Sequence, residues 1–159
     1  MDADHGGHEN QVRQPRQLSM RRFLTGLVVL FVAASSHAAS INAHLIQASN
    51  TSEASDEALK ELEPKLKKEF GYKFYHLLGA KQESLEQKTK SRLDLGEGFV
   101  LFVTPQSEDK KGNELEIEWW SGRALLVKTV AKIPAKRSVF IKGPGVGEDW
   151  IILALSVHE

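Results

Sequence analysis

The chain has 159 residues, of which 41% are hydrophobic and 26% charged, a composition typical of a single globular domain. Lysine plus arginine and aspartate plus glutamate both number 21, so the formal net charge is zero. This balance provides neither the basic stripe of a nucleic-acid binder nor the polybasic patch that attracts anionic lipid. Cysteine is absent, which excludes disulfides, thiolate nucleophiles, cysteine-ligated zinc and a lipidated cysteine anchor.

The N-terminal region has the pattern of a secretory signal. Arg21 and Arg22 precede an uncharged apolar run over residues 23–34, and the small residues Ser36 and Ala38 follow. A basic stretch, a short apolar run and small residues before the cut are typical of a signal peptide, and the run is shorter than the ~20 residues of a transmembrane helix. We expect translation to start at Met20, cleavage after Ala38 and a periplasmic or extracellular product. The pattern leaves open the role of residues 1–19 and whether the signal is kept as an anchor.

The predicted mature part, residues 39–159, is a single domain that begins with a strand over residues 41–48. An amphipathic helix follows, with Ser55 as its predicted N-cap and Gly71 as its stop. Pro64 lies inside the helical pattern and removes a backbone donor, so we expect a kink or two short helices. The apolar face of this region consists of Leu59, Leu62, Leu66 and Phe70.

From Tyr72 onward the hydrophobic period becomes two. Strands are predicted over residues 73–78, 91–95, 99–104, 114–120, 124–133, 138–141 and 150–157. The glycine-rich stretch 143–147 is predicted to be a hairpin loop, since no helix and no Lys-Ser or Lys-Thr pair follows to make it a phosphate-binding loop. Short connections favour an antiparallel meander. The predicted fold class is therefore α+β, with one N-terminal strand–helix unit packed on a mainly antiparallel β-sheet meander or small β-sandwich.

Three glutamates, Glu114, Glu116 and Glu118, alternate with apolar residues on one predicted strand. The next strand presents Lys128 and Lys132, and we expect cross-strand ion pairs of Glu116 or Glu118 with one of these lysines. Carboxylates two residues apart on one face lie roughly 7 Å from each other, a distance that would suit an inverting hydrolase. A solvated face raises neither pKa, which favours the ion pairs.

The sequence has no nucleophile elbow and no recognisable Ser/His/Asp arrangement. The histidines of the predicted mature part, His44, His76 and His158, are not spaced as metal ligands, and His44 falls on the polar phase of the first strand. We predict no catalytic residue, no metal site and no cofactor.

The aromatic residues Trp120, Phe140 and Trp150 lie on the phase opposite to their apolar neighbours. We expect adjacent strands to gather them on one side of a sheet, where they are either covered by a second layer or form an exposed aromatic platform.

These observations predict an exported, non-catalytic binding module that contacts a protein partner in the cell envelope or outside the cell. No nucleic-acid partner and no permanent membrane span after signal cleavage are expected, and the sequence leaves the oligomeric state open. Two alternatives stay open: a small secreted hydrolase that uses carboxylates of the Glu114–Glu118 strand, and a carrier that holds an apolar ligand between the helix and the sheet.

Overall fold

The computed structural model of the chain describes residues 39–109 and 111–158. The predicted signal peptide and the predicted start at Met20 lie outside these residues. None of the helices described is both long and apolar enough to cross a membrane.

The domain begins with strand β1 (Ser40–Ser49), followed by a single 3₁₀ turn (Glu57–Leu59) and helix α1 (Glu63–Phe70). Seven further strands complete it: β2 (Phe74–Ser84), β3 (Ser91–Gly96), β4 (Phe99–Asp109), β5 (Gly112–Ser121), β6 (Ala124–Ile133), β7 (Ser138–Val146) and β8 (Asp149–His158). The strand positions agree with the alternation of the sequence, although β2 extends well past its predicted end.

The strands form two four-stranded antiparallel sheets. The first sheet has the order β2-β1-β8-β7 and the second has the order β3-β4-β5-β6. Within each sheet, strands consecutive in the chain pair with each other, and β1 also pairs with β8. The prediction of antiparallel pairing is confirmed. The prediction of an α+β class with a strand–helix unit is wrong, because β1 lies inside the first sheet and a single helix covers part of that sheet. The domain is mostly β.

The side chains between the sheets form the larger core. They come from alternating positions of β1 and β8 on one side and of β3, β4 and β5 on the other, so both sheets bury one face. Trp119 is the largest fully buried side chain and contacts Phe99, with ring centroids 5.9 Å apart. Burial of these apolar residues stabilises the domain without any disulfide.

The sheets approach each other where β2 passes β3. A methyl group placed on Gly79 would lie 1.7 Å from the carbonyl oxygen of Leu95. Only glycine fits at this position, because the contact is with backbone that has no side-chain freedom to move.

A smaller core lies between residues 57–70, called here the helical segment because they contain the 3₁₀ turn and α1, and the outer face of the first sheet. Leu59 and Leu66 contact apolar residues of β1, β2 and β8, and Phe70 meets Phe140 edge-on at 6.1 Å. Pro64 lies in the first turn of α1, where its missing N–H costs no helical hydrogen bond. The helical pattern is interrupted as expected, but the break lies before Pro64, between the 3₁₀ turn and the single α-helix. Gly71 ends α1 in the left-handed conformation, with a φ of 76°, as predicted.

Two local predictions are wrong. Asp56, not Ser55, is the residue before the 3₁₀ turn, and Ser55 Oγ instead donates a hydrogen bond to Glu63 Oε1 at 2.7 Å. The stretch 143–147 is not all loop, because β7 continues to Val146 through an irregular register and the turn follows at Gly147. A proline is tolerated there because β7 is an edge strand.

Candidate functional site

A groove of about 570 Å³ lies between the helical segment and the part of the first sheet that this segment leaves uncovered. Its floor is the outer face of β1, β8 and β7. One wall is the helical segment, and the turn between β6 and β7 supplies Lys136 on another side. The volume lies within the range of ligand pockets, roughly 300–1,000 Å³.

The floor of the groove is polar, whereas the neighbouring part of the same sheet face is apolar. Ile46 and Ile152 are fully buried under the helical segment, but Asn42, His44 and Ser156 are only partly buried at the groove. The sheet face changes from apolar to polar because α1 is short: it has eight residues and spans only about 12 Å. The outward-facing positions of the strands are polar where the helix does not cover them.

Two polar side chains in the floor, Asn42 and His44, are partly buried. Asn42 Oδ1 is buried and accepts no hydrogen bond from any described residue, and an unpaired buried acceptor is costly. Burial lowers the pKa of the neighbouring His44 imidazole below its ordinary value, because desolvation disfavours the charged form. The floor therefore contains an unpaired amide oxygen below its surface and an imidazole that is neutral at neutral pH.

The walls carry more positive than negative charge that is not already paired. Lys60 pairs with Glu57 at 2.6 Å, whereas Lys65 and Lys136 form no ion pair with a described residue. Glu61 is the wall's remaining carboxylate. The groove is therefore basic although the whole chain is neutral.

Lys136 is held in the left-handed region, with a φ of 61°. Residues other than glycine, asparagine and aspartate adopt this conformation at a cost, and such strain often occurs at functional sites. Here the conformation belongs to the turn that brings the Lys136 side chain to the groove.

A second hollow of about 240 Å³ adjoins the groove. It shares Asn42 and His44 with the groove and is lined further by Ala80, Lys81 and Gln82 of β2. Together the two hollows form a track that crosses all four strands of the first sheet. Neighbouring strands lie about 4.8 Å apart, so the track is roughly 14 Å long.

The predicted platform residues do lie on outward-facing positions, but the structure does not bring all three together. Trp120 belongs to the second sheet, whereas Phe140 and Trp150 belong to the first. Phe140 packs beside Phe70 under the helical segment, and the Lys142 ammonium lies 3.7 Å from the centre of the Trp150 ring. Trp120 lies instead on the outer face of the second sheet, where two large apolar side chains, Leu125 and Val130, are exposed.

The carboxylates of β5 form the predicted ion pairs. Lys128 Nζ lies 2.9 Å from Glu118 and 3.0 Å from Glu116, and Lys90 Nζ lies 2.7 Å from Glu118. The hydrogen bonds from Lys128 and Lys90 lower the pKa of the Glu118 carboxyl to about 2. Lys132 pairs instead with Asp109. A general acid needs a raised pKa, so these contacts favour a structural role for this strand.

Within residues 39–109 and 111–158, no group of three or more His, Asp or Glu side chains is arranged to hold a metal ion. No protein-family model matches the sequence, and neither curated proteins nor solved structures give a match.

The sequence placed His44 on the polar phase of β1 but did not identify the groove. Polar residues at alternate positions of a strand give the same sequence pattern whether they face bulk solvent or line a groove. One sequence feature pointed to the groove. Asn42 and His44 are polar residues two positions apart on a strand, and the helix that follows has only two turns.

Proposed function

We propose that this protein is an exported binding module that holds an extended, acidic segment of a protein partner in the groove over its first sheet. The observation that carries the proposal is the basic, polar track across that sheet in an otherwise neutral chain.

The shape of the track favours an extended ligand over a compact one. At about 3.3 Å per residue, four extended residues span its roughly 14 Å. The floor offers the Asn42 amide and the Ser138 and Ser156 hydroxyls, which match the alternating donors and acceptors of a peptide backbone.

The charges favour acidic side chains on that ligand. Lys65, Lys81 and Lys136 line the track without an ion-pair partner among the described residues, against the single unpaired carboxylate of Glu61. Complementary charge raises the association rate and discriminates between partners, so a segment rich in Asp or Glu is the expected occupant.

A matched pair of charge-reversal variants tests this proposal. The probe is a fluorescently labelled hexaglutamate peptide, and the measurement is its anisotropy on titration with the purified protein at low salt. We expect the double variant Lys65→Glu/Lys136→Glu to weaken binding at least about tenfold, because each substitution replaces an attraction by a repulsion.

The control is Lys88→Glu/Lys111→Glu, which makes the same change in net charge at exposed turns outside the track. We expect it to leave the affinity within about twofold. Equal weakening by both double variants would show that the peptide responds only to net charge, and the groove assignment would then be rejected.

Export is the second part of the proposal. Strand β1 begins at Ser40, so a cut after Ala38 would release the domain with its first strand intact. Mass spectrometry of the protein recovered outside the cytoplasm is expected to give an N-terminus at Ala39. Peptides from residues 1–19 in the mature protein would contradict this assignment.

A further inference from the structure

A serine, a histidine and an aspartate that the sequence did not connect form one chain of hydrogen bonds. His76 Nε2 lies 2.6 Å from Ser52 Oγ, and His76 Nδ1 lies 3.3 Å from Asp56 Oδ1. Ser52 and Asp56 lie in the segment after β1, and His76 lies on β2. The arrangement is not recognisable in the sequence, because the loop folds back onto β2 and brings together residues 24 positions apart.

The contacts fix the role of each group. The Asp56 carboxylate also accepts the backbone N–H of Leu77 through Oδ2 at 2.8 Å, which orients it. This backbone hydrogen bond, together with the one from His76, lowers the pKa of the Asp56 carboxyl, so the carboxylate stays ionised. A carboxylate at Nδ1 selects the imidazole tautomer that carries its proton there, and Nε2 is then free to accept the Ser52 proton.

The site is also accessible. The side chains of His76 and Asp56 retain 29% and 44% of their exposure, and Ser52 is only partly buried. The backbone N–H of Glu53, the residue after the hydroxyl, makes no hydrogen bond with a described residue. The residue after a nucleophilic serine often supplies one oxyanion donor in this way.

We propose that Ser52, His76 and Asp56 form an acyl-transfer centre that accepts small, activated carboxylic esters. Ser52 Oγ attacks the ester carbonyl carbon, and the hydroxyl proton passes to His76 Nε2. The bond to the leaving alcohol then breaks, and the alcohol takes that proton. Water, deprotonated by His76, cleaves the acyl-serine, releasing the carboxylic acid and restoring the serine. Ester and water are consumed, and acid and alcohol are formed.

This centre is distinct from the groove, which is lined by none of the three residues. The activity is therefore independent of partner binding. A loss of hexaglutamate binding would leave it unaffected, and the reverse also holds.

The test uses p-nitrophenyl acetate with the purified protein, reading the release of p-nitrophenolate and the position of the acetyl group by peptide mass spectrometry. We expect acetylation of Ser52 together with release of p-nitrophenolate. Ser52→Ala is expected to abolish the adduct, and His76→Gln is expected to lower the rate by about 100-fold or more.

Ser107→Ala, an exposed serine on β4, is the control and is expected to react as the parent protein does. If a variant fails to fold, the position of the acetyl group on the parent protein still tests the proposal, because that measurement needs no substitution. Acetyl groups found only on lysines, or no adduct at all, would overturn the proposal. An equal rate for folded Ser52→Ala would overturn it as well.

Discussion

Replacement of Lys136 by glycine separates the stability of the domain from its binding function. Lys136 has a φ of 61°, a conformation that costs a residue with a Cβ about 1–2 kcal/mol. Glycine removes that cost but loses about 0.5–1 kcal/mol through the greater freedom of its unfolded chain. The net expectation is a gain of about 0–1.5 kcal/mol in the free energy of unfolding. The same substitution removes one basic group from the groove, and an exposed ion pair is worth about 0.2–1 kcal/mol, so hexaglutamate affinity should fall by a factor of about 1.4 to 5.

The assay is urea denaturation followed by tryptophan fluorescence, combined with the anisotropy titration. Lys88 has a φ of 60° and lies outside the groove, so Lys88→Gly is the matched control. We expect it to raise stability by the same amount and to leave binding unchanged. A Lys136→Gly protein that is less stable than its parent would contradict the cost assigned to this backbone conformation. A Lys88→Gly protein that binds the peptide more weakly would contradict the location of the binding site.

Three further changes probe the fold and the groove floor. Gly79→Ala would place a methyl group against the Leu95 carbonyl, so we expect a loss of at least about 1–3 kcal/mol in urea denaturation, and an unchanged midpoint would contradict the close approach of β2 and β3. Leu66→Ala is expected to cost about 2–5 kcal/mol, since it empties a fully buried site under α1, whereas the exposed Lys68→Ala should change stability by less than about 0.5 kcal/mol. Burial lowers the pKa of His44 in the folded state. As pH falls, the His44 imidazole is therefore protonated in the unfolded chain before it is protonated in the folded protein, and the free energy of unfolding decreases below about pH 6.5. His44→Gln should remove that part of the decline, and an identical pH dependence of the thermal midpoint would exclude the effect.

The strands and the helical segment were largely predictable, because their signals are local. The alternation of β5, with Leu115, Ile117 and Trp119 inward, and the proline and glycine that bound α1 each act within a few residues. The extension of β7 past Gly143 was not predictable in this way. It depends on the place of β7 at a sheet edge, which only the complete topology determines.

The sites were less predictable, because each depends on contacts between distant segments. The phase of Trp120 and Trp150 along their strands was readable, but their assignment to different sheets was not. His76 contacts Ser52 only because the loop after β1 folds back onto β2. No sequence motif next to either residue indicates this contact. The groove likewise arises from the short reach of α1 over polar positions of β1.

The most direct test of the binding function is a map of amide and imidazole NMR shifts on addition of unlabelled hexaglutamate peptide. We expect the shifts to cluster on the floor and walls of the groove, with His44 and Ser156 among the most affected and Lys65 and Lys136 beside them. Shifts confined to the outer face of the second sheet around Trp120, or no saturable shifts at all, would exclude the groove as the binding site.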